Sequence, residues 1–161
     1  MKNKLVKDLM TSPAVTCDSS TTIKKAIEIL KTNNIGFLPV TKSDTIIGVV
    51  TDRDILIRGI GTYKLNSKIN KVMTSGEIHF VNTDTPIYSA AQLMGKYKVR
   101  RLVVLNDGKV VGVLTTKNLL QEPSLYKYII QTYHENPTLP EYSMYINSNP
   151  HDSIKTDDFR L

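Results

Sequence analysis

The residues best suited to chemistry form the segment Thr51-Asp52-Arg53-Asp54, which follows an apolar run. A threonine at a strand end with an aspartate three residues later puts both side chains at a helix N-terminus, where backbone N–H groups attract phosphate. The Asp54 carboxylate can accept both hydroxyls of a ribose, while the Thr51 hydroxyl and the Arg53 guanidinium can donate to phosphate oxygens. The same pattern is also an ordinary helix cap beside a solvated arginine, so spacing alone leaves both interpretations open.

A related segment, Thr115-Thr116-Lys117-Asn118, occurs later in the chain with an amide in place of the carboxylate. Asn118 can still hydrogen-bond a ribose, but more weakly than a carboxylate does. Four cations lie in the same part of the chain: Lys98, Arg100, Arg101 and Lys117. Clustered by the fold, they would repel one another unless an anion bridged them, whereas spread over a wet surface they need no anion. We favour the bridging anion.

Other kinds of chemistry lack the residues that they need. Cys17 is the single cysteine, which excludes an internal disulfide and a zinc site built on thiolate pairs. The three histidines stand far apart, at positions 79, 134 and 151. The sequence also lacks the glycine-rich nucleotide loops and the nucleophile and zinc motifs of hydrolases. We therefore predict no catalytic residue, no metal site and no enzymatic activity, with magnesium present only if it accompanies bound phosphate.

Composition bounds the class of protein. The chain has 161 residues, a formal charge of +6, 40 % apolar and 22 % charged residues, which is typical of soluble globular proteins. No apolar run reaches the roughly 18 residues of a membrane span, and the first residues lack the apolar core of a signal peptide. We expect a cytoplasmic protein with no membrane partner. Nucleic acid is a weaker alternative, because no nucleic-acid-binding motif accompanies the positive charge.

Charge and turn residues divide the chain near position 120. Residues 1–120 carry 18 Lys and Arg against 9 Asp and Glu, whereas 121–161 carry 3 against 6. All eight glycines precede position 121, while four of the seven prolines follow it. The spacing of Leu125, Tyr128, Ile129 and Thr132 favours one helix face, and the Pro- and Asn-rich remainder favours an extended or disordered arm. We therefore predict a domain edge near residue 120.

The part before this edge contains an internal repeat. Val6-Lys7-Asp8-Leu9-Met10-Thr11 matches Ile69-Asn70-Lys71-Val72-Met73-Thr74, and Gly48-Val49-Val50-Thr51 matches Gly112-Val113-Leu114-Thr115. Each unit predicts a short strand, an amphipathic helix, two strands joined by a turn, and a second helix. A unit of about 60 residues buries little apolar surface alone, so we expect the two units to share one core.

Local signals place the helices and the turn within each unit. Apolar residues recur on one face of the first predicted helix: Ile23, Ala26, Ile27 and Leu30. Either Ser19 or Ser20 can cap this helix. In the second unit we predict that Thr85 caps the helix and that Pro86 takes its first position. The segment Asn106-Asp107-Gly108 predicts a tight hairpin, because these residues tolerate a positive φ.

A tandem repeat with these motifs resembles the cystathionine-β-synthase (CBS) domain pair, or Bateman module. The marks are the Val6–Thr11 opening, the strand Ile35-Gly36-Phe37-Leu38-Pro39-Val40, and the ending Gly48-Val49-Val50-Thr51-Asp52-Arg53-Asp54-Ile55. The resemblance implies an α+β fold in which two pseudo-symmetric β-α-β-β-α motifs pack as one module. Its predicted parts are a first motif at 5–60, a second motif at 68–121, and a C-terminal helix with an extended or disordered tail at 122–161.

The resemblance also implies a function. CBS pairs bind adenosine-containing ligands such as AMP, ADP, ATP, S-adenosylmethionine and cyclic di-AMP in two clefts, and the ligand changes the state of a partner. We therefore expect a free-standing regulatory module that senses an adenine nucleotide, forms a homodimer and acts on a protein that the sequence does not identify. The ligand-binding residues implied for the two clefts are Thr16, Ile35, Gly36, Phe37, Pro39, Thr51, Arg53, Asp54, His79, Lys98, Val99, Arg100, Arg101, Thr115, Lys117 and Asn118.

The implied roles differ along the clefts. Asp54 takes the ribose and Thr51 the phosphate. The phosphate contacts implied in the second motif are Lys98, Arg100 and Arg101. The adenine slot implied in the first motif consists of Thr16, Ile35, Phe37 and Pro39, although Ile35 and Phe37 can equally be plain core residues. His79 matches Thr16 in the repeat and would flank the second cleft, where Val103 replaces Pro39.

A rival interpretation belongs to a different class of protein. The chain would be a constitutive dimerisation scaffold whose clefts stay empty or are plugged by its own acidic tail. Deleting residues 136–161 separates the two interpretations: a scaffold still assembles, whereas ligand affinity rises if the tail was a plug.

Overall fold

The computed structural model describes residues 4–123 and Leu125. The chain divides into a compact unit that ends at Gln121 and a second unit that begins at Glu122, and the architecture that follows is that of the first unit. Two three-stranded sheets with their helices confirm the α+β fold of two β-α-β-β-α motifs. The helix and tail predicted for 122–161 fall almost entirely outside the described residues.

The first motif forms one three-stranded sheet with a helix packed against it. Its elements are β1 (Cys17–Asp18), α1 (Ile23–Asn33), β2 (Phe37–Lys42), β3 (Thr45–Thr51), the short helix α2 (Asp52–Asp54) and the π-helical turn Ile55–Gly59. β1 pairs parallel with β2, which pairs antiparallel with β3. The predicted apolar stripe faces this sheet, since Ile23, Ala26 and Leu30 of α1 are buried in its core.

The second motif repeats this arrangement. Its elements are β4 (Phe80–Asn82), α3 (Ile87–Lys96), β5 (Arg101–Asn106), β6 (Lys109–Thr115) and α4 (Thr116–Leu120). The strands pair in the same order and directions as in the first motif. Asp107 and Gly108 form the turn between β5 and β6, both at positive φ, which confirms the predicted hairpin. The first motif makes the corresponding turn with Ser43 and Asp44, also at positive φ.

The two motifs exchange their opening segments. Thr74, in the opening segment of the second motif, exchanges two backbone hydrogen bonds with Val49 of β3, with N···O distances of 2.9 and 2.8 Å. Thr11, near the start of the chain, does the same with Val113 of β6 at 2.9 and 3.0 Å. Each sheet is therefore extended by chain that belongs to the other repeat, and the two motifs are interlocked.

The apolar core of the first motif reflects this exchange. Its buried members are Cys17, Ile23, Ala26, Leu30, Leu38, Val40, Val50, Ile55, Ile69 and Val72. Ile69 and Val72 come from the opening segment of the second motif. Gly48 permits the close approach, because a Cβ there would lie 2.5 Å from the Met73 sulfur and 3.0 Å from the Thr74 carbonyl oxygen.

The predicted cap of α1 is wrong. Thr22 caps this helix, and its hydroxyl accepts a hydrogen bond from the Lys25 backbone N–H at 3.2 Å. Ser20 instead donates its hydroxyl to the Asp18 carboxylate. A short side chain next to an aspartate satisfies itself in a local turn, and the cap falls to the next suitable residue.

The predicted start of α3, the first helix of the second motif, is also wrong. The Thr85 hydroxyl accepts from the Asn82 backbone N–H at 3.1 Å, so it closes the turn ahead of α3 rather than capping the helix. Pro86 takes the cap position without a side-chain hydrogen bond, and the helix begins at Ile87. Sequence places the helix correctly but misses its first residue by one.

Candidate functional site

A cleft of about 180 Å³ is lined by both motifs. Its wall consists of Phe37, Val49 and Thr51 from the first motif and Glu77, His79, Val99, Arg100, Arg101 and Val103 from the second. Six of these residues belong to the predicted set, whereas Val49, Glu77 and Val103 do not. Apolar valines beside two guanidinium groups suit a ligand that carries an apolar ring and an anionic group.

Phe37 and Arg101 occupy equivalent positions in the two repeats and touch each other within the cleft. The Arg101 guanidinium carbon lies 5.7 Å from the centroid of the Phe37 ring. Both residues are half-buried. A cation over an aromatic face is attracted by the ring, and stacking also limits the rotamers of a long side chain. The contact therefore holds one of the predicted anion-binding groups at the cleft wall.

His79 is fixed by an aromatic stack. Its ring lies 4.2 Å from the ring centroid of Tyr97, with the two planes 20° apart. The Lys96 ammonium lies 5.1 Å from the same Tyr97 centroid. Tyr97 is the C-cap residue of α3, and sequence reasoning missed it because the matched motifs do not include it. The stack keeps the His79 imidazole at the wall of the cleft.

Thr51 and Asp54 form a capping box where β3 meets α2. The Thr51 hydroxyl accepts from the Asp54 backbone N–H at 3.1 Å, and one Asp54 carboxylate oxygen accepts from the Thr51 backbone N–H at 2.8 Å. The other carboxylate oxygen pairs with the Arg58 guanidinium at 2.7 Å. A carboxylate offers about four acceptor sites, so one site remains on each oxygen. Two adjacent acceptors match the two donors of a vicinal diol.

Asn118, the counterpart of Asp54, differs in the number of acceptor sites that it has left for a ligand. Its amide oxygen accepts from the Thr115 backbone N–H at 2.9 Å and from the Thr115 hydroxyl at 2.7 Å. An amide oxygen has two lone pairs, and both are used here. The remaining amide NH₂ can only donate. This arrangement gives a physical reason for the weaker ribose contact predicted at Asn118.

Other predicted residues lie away from this cleft. Ile35 and Gly36 line a second groove of about 640 Å³ whose other walls are Ile27, Leu30, Lys31, Asn34, Asp52, Ile55, Leu56 and Ile60. Residues that line neither space are Thr16, Pro39, Arg53, Asp54, Lys98, Thr115, Lys117 and Asn118. Asp54 adjoins the cleft through its bonds to Thr51. Phe37 therefore shares a cleft with His79 and the arginines, and its predicted neighbours Thr16, Ile35 and Pro39 do not line that cleft.

Cys17 has the environment of a core residue. Burial raises the pKa of its thiol from 9.0 to about 11, and the neighbouring Asp18 charge adds to the effect. A thiol with this pKa stays protonated at neutral pH and is a poor nucleophile. Within the described part of the chain, no group of three His, Cys, Asp or Glu residues could hold a metal ion. No helix in that part is long and apolar enough to cross a membrane.

Fold and cleft together define a class of protein, an interlocked pair of β-α-β-β-α motifs with a cleft lined by both. The family model of the CBS domain matches the sequence twice, at residues 6–60 and 69–124. The chain therefore belongs to the CBS-domain family, as a tandem CBS pair.

Relatives and solved structures agree with this assignment. The chain is 35% identical over 117 residues to the uncharacterized protein YlbB of Bacillus subtilis (strain 168), which covers 71% of this chain and 78% of that protein. The fold of this chain is similar to that of the CBS domain protein PAE2072 from Pyrobaculum aerophilum complexed with AMP. The TM-score is 0.70 at 25% identity, and the match covers 80% of this chain and 99% of that chain. The fold is also similar to the CBS domain pair of protein MJ0100 in complex with 5′-methylthioadenosine and S-adenosyl-L-methionine, with a TM-score of 0.65, 28% identity, and 73% and 94% covered.

Proposed function

We propose that this chain is a regulatory module that binds an adenosyl ligand in the cleft lined by Thr51 and His79. The observation that carries the proposal is the pair of acceptor sites left on Asp54, next to a cleft whose lining includes three valines and two arginines as well as Glu77. A vicinal diol, an apolar ring and an anionic group are the three features that an adenine nucleotide presents. The ligands in the PAE2072 and MJ0100 structures support the same class of ligand.

In this proposal the ligand contacts both motifs at once. The purine packs against Val49 on one side and Val99 and Val103 on the other, while the ribose hydroxyls donate to Asp54. Arg100 and Arg101 receive the anionic group. A ligand that touches both walls binds most tightly when the walls are correctly spaced, so its binding energy favours one arrangement of the interlocked motifs. That shift is the signal that the module would pass to a partner protein, with no chemical step of its own.

We also propose that the module self-associates through its π-helical turn and the adjoining Ile60. Leu56, Ile57 and Ile60 are 63%, 61% and 58% exposed. Large apolar side chains this exposed in neighbouring positions form a patch of the kind that marks an interface. A second copy of the chain is the occupant we propose. Sedimentation over a concentration series would show a reversible dimer, and a monomer at every concentration would contradict the proposal.

Isothermal titration of AMP into the wild type, Asp54→Asn and Asn118→Ala tests the ligand site. Asp54→Asn keeps a capping oxygen for Thr51 but removes the charged acceptor, and we expect AMP affinity to fall at least about tenfold. Asn118→Ala is the matched control in the other repeat, and its AMP affinity should stay within about twofold of wild type, since Asn118 has no acceptor to lose. Absence of heat with AMP in the wild type would favour the constitutive scaffold.

A further inference from the structure

Arg58 lies beside the proposed ribose site but outside the residues predicted to form it. One guanidinium nitrogen contacts the Asp54 carboxylate at 2.7 Å and donates to the Thr74 hydroxyl at 2.9 Å. Thr74 is itself held by two backbone hydrogen bonds to Val49, a residue of the cleft wall. Although its side chain is 43% exposed, Arg58 is therefore held between two partners and does not simply extend into solvent.

The repeat provides an internal comparison for this arginine. In the second motif the neutral Asn118 stands where the first motif has Asp54, and the position that matches Arg58 is Glu122. The first repeat therefore has both the Asp54 carboxylate and the Arg58 guanidinium. The second repeat has an amide at the matching diol-binding position and no arginine four residues later. An arginine that compensates the Asp54 charge accounts for this difference, since an uncharged amide needs no compensation.

Charge compensation matters for an anionic ligand. The ribose hydroxyls and the phosphate of a nucleotide belong to one sugar, so the phosphate cannot move far from the group that binds the diol. An uncompensated carboxylate that binds the diol repels the phosphate on the same sugar, and partial burial strengthens the repulsion. Arg58 offsets the charge through one acceptor site of Asp54 and leaves the two sites that the diol needs.

We infer that Arg58 sets the ligand class of this site, because it allows a carboxylate that binds ribose to accept an adenine nucleotide in preference to uncharged adenosine. The inference rests on the proposed function and deepens it by naming a ligand that carries at least one phosphate. Arg58 acts through Asp54 and is thus a positioning and charge-compensating residue. We expect Arg58→Gln to stay folded, because an ion pair whose arginine is 43% exposed adds little to the free energy of unfolding.

Isothermal titration of the full chain with AMP and with adenosine tests this inference. The proteins are the wild type, Arg58→Gln, Arg58→Lys and Lys64→Gln, the last removing the same charge from an exposed residue of the same segment. Arg58→Gln should weaken AMP about five- to tenfold and adenosine by less than about twofold, with a larger AMP loss at low salt. Arg58→Lys keeps the charge and should hold AMP within about threefold of wild type, and Lys64→Gln within about twofold.

Equal weakening of AMP and adenosine by Arg58→Gln would show that Arg58 only supports the Asp54 side chain, and tighter AMP binding would show that it competes with the ligand. Either result overturns the inference while the proposed function stands. If the wild type binds neither AMP nor adenosine, the proposed function fails and this inference fails with it.

Discussion

Asp54 shows how one side chain can serve as a helix cap and as a ligand contact. Its two oxygens hold the Thr51 backbone N–H and the Arg58 guanidinium, and each still has an acceptor site to offer. The cap and ribose interpretations of the Thr-x-x-Asp pattern are therefore compatible. The ion pair with Arg58 is visible in the sequence, because residues four apart on a helical segment face each other. The Thr74 contact is not, because no local pattern pairs residues 58 and 74.

Cys17 gives a prediction at the same scale. With a pKa of about 11 in the folded protein and 9.0 when exposed, its thiolate fraction at pH 8 is about 100-fold lower in the native state. Iodoacetamide should therefore label the native protein far more slowly than the urea-unfolded chain, and equal rates would contradict the buried environment. Because the folded pKa is the higher one, the stability that this group contributes is complete below pH 9 and is lost as the pH rises through 11.

The secondary-structure elements were predictable to the extent that their signals are local. The stripe of α1 and the Asn-Asp-Gly hairpin are encoded by residues within a few positions of one another, and both are found where the sequence predicts them. The exchange of the segments around Thr11 and Thr74 depends on contacts between distant parts of the chain. The cleft likewise joins distant parts of the chain, and so Phe37 and Thr51 lie beside His79 in a way that spacing did not reveal.

Gly48 gives a prediction about this exchange. In Gly48→Ala the new methyl group would meet the Met73 sulfur and the Thr74 carbonyl, and we expect the free energy of unfolding to fall by about 1–3 kcal/mol. Gly95→Ala is the matched control, because nothing lies within 4 Å of a Cβ in that helix position. This variant should gain about 0.5–1 kcal/mol from lower backbone entropy in the unfolded chain. Urea unfolding measures the free energy of unfolding of both variants. Equal changes in Gly48→Ala and Gly95→Ala would argue against the close approach at β3.

At the scale of the whole module, the interlocked motifs explain why a ligand in the cleft would contact both of them. The walls of the cleft come from both sheets, and each sheet is extended by the opening segment of the other motif. The internal repeat and the family motifs predict a paired module, and the family model confirms it. Which residues of the two repeats face each other depends on how the motifs pack, and only the structure supplies that.

The most direct test is an NMR titration of the ¹⁵N-labelled chain with AMP, following the backbone amides of Thr51 and His79. These residues belong to different motifs but line the same cleft. We predict that both amides shift along one binding curve with a single dissociation constant, and that Asp54→Asn weakens both shifts together. Shifts confined to one motif, or no shift at saturating AMP, would contradict a ligand bound between the two CBS motifs.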